Sequence, residues 1–463
     1  MRPMFLRDDL RGFCGRAFRP DALVADRRIH PPATHTRSDF PLPAPGLLPM
    51  TASVPELAPV SVPERVTALD ALRGLALLGI LLSNVAAFAG PLNELHDGID
   101  PTLRGSDRAL ATFVYVAIRD KAWTLFALLF GMGFAAMLGR AQAGGRGFGA
   151  VYLRRSAGLA AIGLIHAWAI WAGDILVTYA LCAFALLALR RLSDEAWLAL
   201  GCALYLAGTG FMLLVAASLT LPGVAQGGAR ELARAQAERA AEVAAYAHGD
   251  YAAAAAQRVH FFFDTTIAGW AVMLPLALGL FLIGAALMRS GTLADPARHR
   301  ARLQAMLRYG GALGVGLTAA SVALEPAPTV AVYTASSVLA QTLHIAGGLP
   351  LALAAIAAVT LLLEAGARWP LRFAAAGRMA LTHYLTQSLV ATWLLYGHGL
   401  GQWGRWSYSA LILAALLLFA AQMAFSAWWL RRFRFGPVEW LWRAYTYRRW
   451  PPLRVERGHA QRV

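Results

Sequence analysis

Residues 72–90 read LRGLALLGILLSNVAAFAG, nineteen residues with Arg73 as the sole charge, at the entry. As a helix rising 1.5 Å per residue the stretch extends about 28 Å, close to the ~30 Å hydrocarbon thickness of a bilayer. Nine further apolar runs of comparable length follow, near 121–139, 156–172, 175–189, 196–221, 267–288, 309–324, 336–363, 379–398 and 408–430. The composition agrees. Of 463 residues 58% are hydrophobic and 15% charged, whereas a soluble domain carries about a quarter charged. An ordinary soluble enzyme is therefore excluded. Three cysteines (Cys14, Cys182, Cys202) are too few for a disulfide-stapled secreted module.

The charge is lopsided, 42 Lys+Arg against 26 Asp+Glu, and nearly all of the excess is arginine, with Lys121 the sole lysine. The arginines cluster between apolar runs and at the two ends, as in Arg154-Arg155, Arg190-Arg191 and Arg431-Arg432. Topology accounts for this better than a nucleic-acid face, because short cytoplasmic loops hold positive charge. Alternating sides from a cytoplasmic N-terminus puts most Lys and Arg inside. The expectation is an all-α polytopic membrane protein of about ten transmembrane helices with both termini cytoplasmic, in a bacterial plasma membrane.

The chain divides into a basic, Pro-rich tail over 1–65 that reads as disordered, with Met50 as an alternative start, and a membrane half over 66–222. An outer segment (223–266), a second membrane part (267–450) and a basic tail (451–463) complete it. The outer segment carries Arg234 and Glu238 at i,i+4, the spacing of a solvated or interfacial helix, and reads as a cap over the bundle. After Phe435 the chain is rich in Trp, Tyr and Arg, the composition of a helix at the headgroup boundary. No repeat, nucleotide-binding glycine loop or metal-ligand spacing occurs.

Ionisable groups inside spans are costly and mark sites by default. Asp70 and Arg73, at i,i+3, can pair on one helix face and offer a guanidinium to a phosphate or carboxylate, with Asn84 three turns farther along. Lys121 and Asp174 open or close spans at the same outer depth and are expected to approach one another, as an ion pair or an acceptor-binding pair. His166 precedes Asp174 by eight residues, about 12 Å along a straight helix and turned by roughly 80°, so the two are expected not to touch. His344 stands about eight residues into its span, His96 lies in a polar outer loop, and Arg378, Thr382 and His383 open an unusually polar span. His166 and His96 are the candidate proton acceptors; His344, Arg378, Thr382 and His383 are candidate cavity-lining residues. The glycine- and aromatic-rich run from Leu125 to Phe134 reads as close helix packing.

Several stretches resemble the YeiB-like family of bacterial inner-membrane proteins, a domain of unknown function: Ala68-Leu69-Asp70-Ala71-Leu72-Arg73-Gly74 with Asn84, Thr124 to Phe134, His166 to Leu176, Ala376 to Thr382, and Arg432 to Arg443. His383 stands where that family usually has asparagine. The Asp-x-x-Arg-Gly opening is also similar to that of membrane acyltransferases, including the heparan glucosaminide N-acetyltransferase type. In the sugar O-acylating families a histidine stands eleven residues beyond the arginine, where this chain has Asn84. In the heparan type the reacting histidine is in the following outer loop, a place comparable to that of His96. The resemblance implies acyl transfer from a cytoplasmic donor such as acyl-CoA, bound by Asp70, Arg73 and Asn84, to an outer sugar or lipid acceptor held by Lys121 and Asp174. No permanently bound cofactor or metal is implied, and membrane lipids are the expected surroundings. The competing readings are a small-molecule transporter or permease, in which the same residues line a path, and a non-catalytic envelope partner, for which the bundle would contain no cavity.

Overall fold

The computed structural model describes residues 67–92, 98–145, 147–222, 229–328 and 334–455. The N-terminal tail, His96 and the last eight residues lie outside them. Among the described residues there is no strand, and an isolated bridge joins Phe433 to Arg454. The helices are α1 (Thr67–Ala89), α2 (Gly105–Phe113), α3 (Lys121–Ala143), α4 (Gly149–Ile165), α5 (Leu176–Ala188), α6 (Asp194–Ser218), α7 (Ala229–Val243) and α8 (Tyr251–Phe261). They continue with α9 (Ile267–Arg289), α10 (Arg300–Ala305), α11 (Gly311–Leu324), α12 (Ala335–Glu364), α13 (Ala374–Arg378), α14 (Ala380–Leu395), α15 (Tyr408–Leu430) and α16 (Pro437–Tyr447).

Among the described residues, seven helical stretches are long and apolar enough to cross a membrane: Thr67–Ala89, Gly105–Ala143, Asp194–Ser218, Tyr251–Arg289, Arg300–Leu324, Ala335–Glu364 and Tyr408–Leu430. The remaining apolar runs are helical too, as α4, α5 and α14, but each is shorter, at 17, 13 and 16 residues. Leu214, Leu417 and Val315 lie within apolar helices and are 70%, 62% and 60% exposed. Belts of this kind are incompatible with water and match a lipid-facing surface. The chain is a membrane protein.

Where helices cross closely, small residues make the contact. A Cβ at Gly377 would meet the Asp70 carbonyl oxygen at 1.9 Å, and one at Gly74 would meet the Phe373 carbonyl oxygen at 2.2 Å. Main chain therefore touches main chain where α1 crosses the short helix α13, and Asp70, Arg73 and Arg378 are drawn together. The glycine-rich run of α3 behaves as expected on one face, since a Cβ at Gly131 would strike the Phe281 carbonyl oxygen of α9 at 1.9 Å. Its other face does something else, described below.

The two ends of the bundle differ. Arg73, Arg140, Arg155, Arg289, Arg378 and α16 gather at one, the arginine end. At the other, α7 and α8 form a cap in which Glu242, Tyr246 and Arg258 are buried, while Arg234 and Glu238 pair at 2.7 Å on its exposed side. Glu242 accepts a hydrogen bond from the Leu92 amide and Gly397 N–H donates to the Tyr246 carbonyl, so the cap is bonded to the bundle below it.

Because the obstruction at Gly377 is backbone, Gly377→Ala must push α1 and α13 apart, a cost of about 1–3 kcal/mol. Thermal melts of the detergent-solubilised chain are expected to show a clear fall for Gly377→Ala and none for Gly139→Ala, whose Cβ meets nothing within 4 Å.

Candidate functional site

A cavity of about 300 Å³ opens at the arginine end, between α1, α3, α4, α5, α14 and α16. Six arginines line it, Arg73, Arg140, Arg155, Arg378, Arg434 and Arg443, against two carboxylates, Asp70 and Glu439. From Arg140 to Phe126, both in its wall, α3 runs fourteen residues, or roughly 21 Å at 1.5 Å per residue. The far part is apolar and aromatic, lined by Leu77, Ile80, Phe126, Phe130, Tyr179 and Tyr384. The cavity is thus cationic at its mouth and greasy at its depth.

Each arginine is placed by a local device. Arg73 Nη1 donates to Asp70 Oδ1 at 2.7 Å across one turn of α1. The Arg155 guanidinium lies 3.8 Å from the centroid of the Trp442 ring, whose Nε1–H donates to the Arg155 carbonyl; this stacking holds a cation without neutralising it. Arg378 reaches the Arg434 carbonyl. Pro437 opens α16 at a position where a missing N–H costs nothing, and two residues on Glu439 accepts from both the Thr382 amide and its hydroxyl. Burial pushes the Glu439 carboxyl above its ordinary range, against those bonds. The Tyr152 hydroxyl, also in the wall, is buried and has no hydrogen-bond partner.

At the apolar end stands a dyad. His166 Nδ1–H donates to Asp174 Oδ1 at 2.8 Å, and both side chains are essentially inaccessible. Asp174 Oδ2 accepts from the Val177 amide at the start of α5, so the carboxylate is fixed at both oxygens. His166 Nε2 is buried without a partner, and the Tyr384 ring lies against the imidazole at 4.9 Å between centroids. Tyr384 is a cavity wall residue, so one ring touches both the cavity and the imidazole.

Two expectations are corrected. His166 and Asp174 do touch, because α4 does not continue straight: His166–Ile170 forms a π turn closed by Trp171 N–H to the His166 carbonyl, Trp171 is extended, and the chain doubles back. Lys121 does not meet Asp174. Its Nζ donates to His344 Nε2 at 2.9 Å, and Asp120 Oδ2 lies 3.6 Å from the same nitrogen. Asp120 has a left-handed backbone (φ 61°) that starts α3 with Lys121 facing α12.

Asp70, Arg73 and Arg378 come together in the cavity wall. Asn84 is half-buried and His344 is buried, both outside it. Thr382 and His383 border a separate shallow concavity with Gln422 and Phe425; His383 Nε2 bonds the Ser426 hydroxyl across to α15. His96 lies outside the described residues. The sequence reading missed Arg140, Arg155, Arg434, Glu439, Arg443 and Tyr384. The last four lie in or beside motif stretches quoted above, yet α16 had read as a headgroup-boundary helix. It is half-buried and packed on α4, with Glu439 and Arg443 lining the cavity. The α3 run, read as packing alone, also supplies Phe126, Leu129, Phe130 and Gly133 to the wall.

A family model described as "Protein of unknown function (DUF418)" matches residues 287–449, and over 419 residues the chain is 33% identical to the uncharacterised protein YxaH of Bacillus subtilis (strain 168), covering 86% of this chain and 98% of that one. The chain belongs to the DUF418 family. It is also 33% identical over 416 residues to the uncharacterised protein YeiB of Escherichia coli (strain K12), 83% of this chain and 97% of that one, which bears out the YeiB-like resemblance. An uncharacterised 39.9 kDa protein of Bacillus acidopullulyticus is 28% identical over 408 residues, 86% of this chain and 99% of that one.

The raised Glu439 proton affinity sets a sign. A carboxyl whose folded value lies above its unfolded one contributes stability that is present below the unfolded value, about 4.3, and is lost as pH rises through the folded one. Melting temperature is therefore expected to decline as pH rises from about 4.5 toward neutrality, and Glu439→Gln, which keeps an acceptor for the Thr382 amide, is expected to flatten that part of the profile.

Proposed function

We propose that this chain is a ten-span bacterial plasma-membrane protein with both termini cytoplasmic, which transfers an acyl group from a cytoplasmic donor, such as acyl-CoA, to an outer sugar or lipid acceptor. The observation that carries this reading is the cavity: a cationic mouth, an apolar shaft roughly 21 Å long and, behind Tyr384, a histidine oriented by aspartate with its second nitrogen unspent. The arginines would take the donor's phosphates, for which a guanidinium fork is the best side-chain match, and the acyl thioester would lie along the aromatic wall. The arginine end is then the cytoplasmic end, in keeping with the charge bias of short loops.

In the chemical step Tyr384 swings aside. His166 Nε2 takes the proton from the acceptor hydroxyl as its oxygen attacks the thioester carbonyl. The C–O bond forms, the C–S bond breaks, and the departing thiolate takes the proton back from the imidazolium. Asp174 holds the productive tautomer and stabilises the transient positive charge. Asn84, in this reading, helps to pack α1 and takes no part in the step.

The test is transfer of labelled acyl-CoA, added at the arginine face of proteoliposomes, to sugar and lipid acceptors at the other. Label is expected on an acceptor with the wild-type chain, reduced at least about tenfold in Arg73→Ala and by about 10² or more in His166→Ala. Full transfer by His166→Ala would overturn the assignment of the base. Passage of an unmodified solute with no labelled product would replace transfer by the transport reading.

A further inference from the structure

The concavity between α14 and α15 holds about 220 Å³ and has four polar side chains in its wall, Thr382, His383, Thr386 and Gln422. Their donors are already used. The Thr382 hydroxyl goes to Glu439, the Thr386 hydroxyl donates to the His383 carbonyl at 3.0 Å, and the Gln422 amide donates to that carbonyl at 3.3 Å and to Thr386 Oγ1 at 2.9 Å. The same count fixes the tautomer of His383. The Ser426 hydroxyl donates to the Gln422 carbonyl at 2.8 Å, so its oxygen can only accept from the imidazole, and His383 Nε2 carries the proton. Nδ1 is left as a bare acceptor, with no hydrogen-bond partner among the described residues and not sealed off by its neighbours. The concavity faces lipid. Ala421 and Phe425 in its wall are exposed, and at helical spacing its rim continues into exposed Leu389, Val390 and Trp393 along α14 and exposed Leu417 and Leu413 along α15. Its depth follows from position, since His383 is three residues from the start of α14 and Ser426 four from the end of α15, roughly 5–6 Å in from the arginine end at 1.5 Å per residue. Trp428, exposed and two residues nearer that end, is of the type that marks the headgroup boundary.

We propose that this concavity is a lipid-binding notch whose occupant is diacylglycerol, with its free hydroxyl donating to His383 Nδ1 and its two acyl chains lying along the exposed apolar rows of α14 and α15. Three features select that chemistry. The notch presents an acceptor while its donors are engaged internally, so it takes a hydroxyl and gives nothing to a phosphate or carboxylate. It lies inside the headgroup boundary, where a charged headgroup would have to leave water and a neutral glycerol hydroxyl, hydrogen-bonded to an imidazole, would not be left unpaired. Two apolar rows, one on each helix, match two chains. The inference does not rest on the transfer reading, because neither the His166–Asp174 dyad nor any arginine of the larger cavity takes part in it.

The experiment is photolabelling of the full chain in phosphatidylcholine nanodiscs by a diacylglycerol that carries a diazirine in one acyl chain, read by peptide mass mapping. Label that unlabelled dioleoylglycerol displaces is expected on α14 and α15 around the notch. Trioleoylglycerol, which has the same chains and no hydroxyl, is expected to compete at least about tenfold less well. Ala421→Phe fills the notch without touching the hydrogen-bond network and is expected to lower the displaceable label several-fold at an unchanged melting temperature. His383→Leu, which removes the acceptor, is expected to lower it as well, and Val315→Phe, on exposed α11 surface, to leave it as in the wild type. Absence of displaceable label on α14 and α15, equal competition by the two glycerides, or wild-type labelling of Ala421→Phe would overturn the proposal. Displacement by undecaprenol with none by dioleoylglycerol would overturn the glyceride occupant in favour of a prenol.

Discussion

Main-chain contact between α1 and α13 at Gly74 and Gly377 leaves no room for a side chain, and the arginine-lined cavity depends on it. With no hydrophobic driving force between helices in lipid, close van der Waals approach is a principal source of association. Here it fixes the separation of the Asp70 and Arg73 turn from Arg378, and hence the width of the mouth. The segment after α13 then starts α14, whose Thr382 amide and hydroxyl hold Glu439 and so attach α16 to the same wall. One crossing thereby organises residues more than three hundred positions apart.

The electrostatics of that wall favour an occupant. Two unit charges 8 Å apart at an effective dielectric of 20 repel by about 2 kcal/mol, and six guanidinium groups share one cavity with two carboxylates. Burial pushes the Glu439 carboxyl above its ordinary range, against the Thr382 hydrogen bonds that lower it. Stacking of Arg155 on Trp442 and the Arg73–Asp70 pair hold two of these cations in place. A polyanion entering the mouth would relieve this repulsion in addition to forming its own hydrogen bonds. The apolar shaft adds the complementary preference, so an anionic amphiphile satisfies both halves where a simple ion satisfies one.

The helical segments were legible because nineteen apolar residues at a stretch have few other physical meanings, and Asp70 with Arg73 was legible because i,i+3 spacing dictates proximity on a helix. Arg378 was legible only as part of a motif. What could not be read were the points at which helices depart from ideal geometry. The π turn at His166–Ile170 converts a separation of about 12 Å along a straight axis into a hydrogen bond, and the left-handed Asp120 decides which neighbour Lys121 faces. Nothing local announces either. Arg140, Arg155, Arg434 and Arg443 were hidden for a different reason: loop arginines are expected on the cytoplasmic side in any membrane protein, so their convergence on one cavity is visible only when the bundle is assembled.

On the transfer reading proposed above, only a chemical group has to pass, whereas the transport reading requires passage of a whole solute. A translocation path needs polar partners distributed along its length, whereas the deeper part of this cavity is apolar and aromatic. His166 Nε2 is a single unspent acceptor. A charged donor would lose its compensation at every step past Arg73. An acyl carbonyl carries no net charge and has only to reach one nitrogen's proton-transfer range. On that reading the barrier to moving the donor is large and the barrier to presenting its reactive end is small.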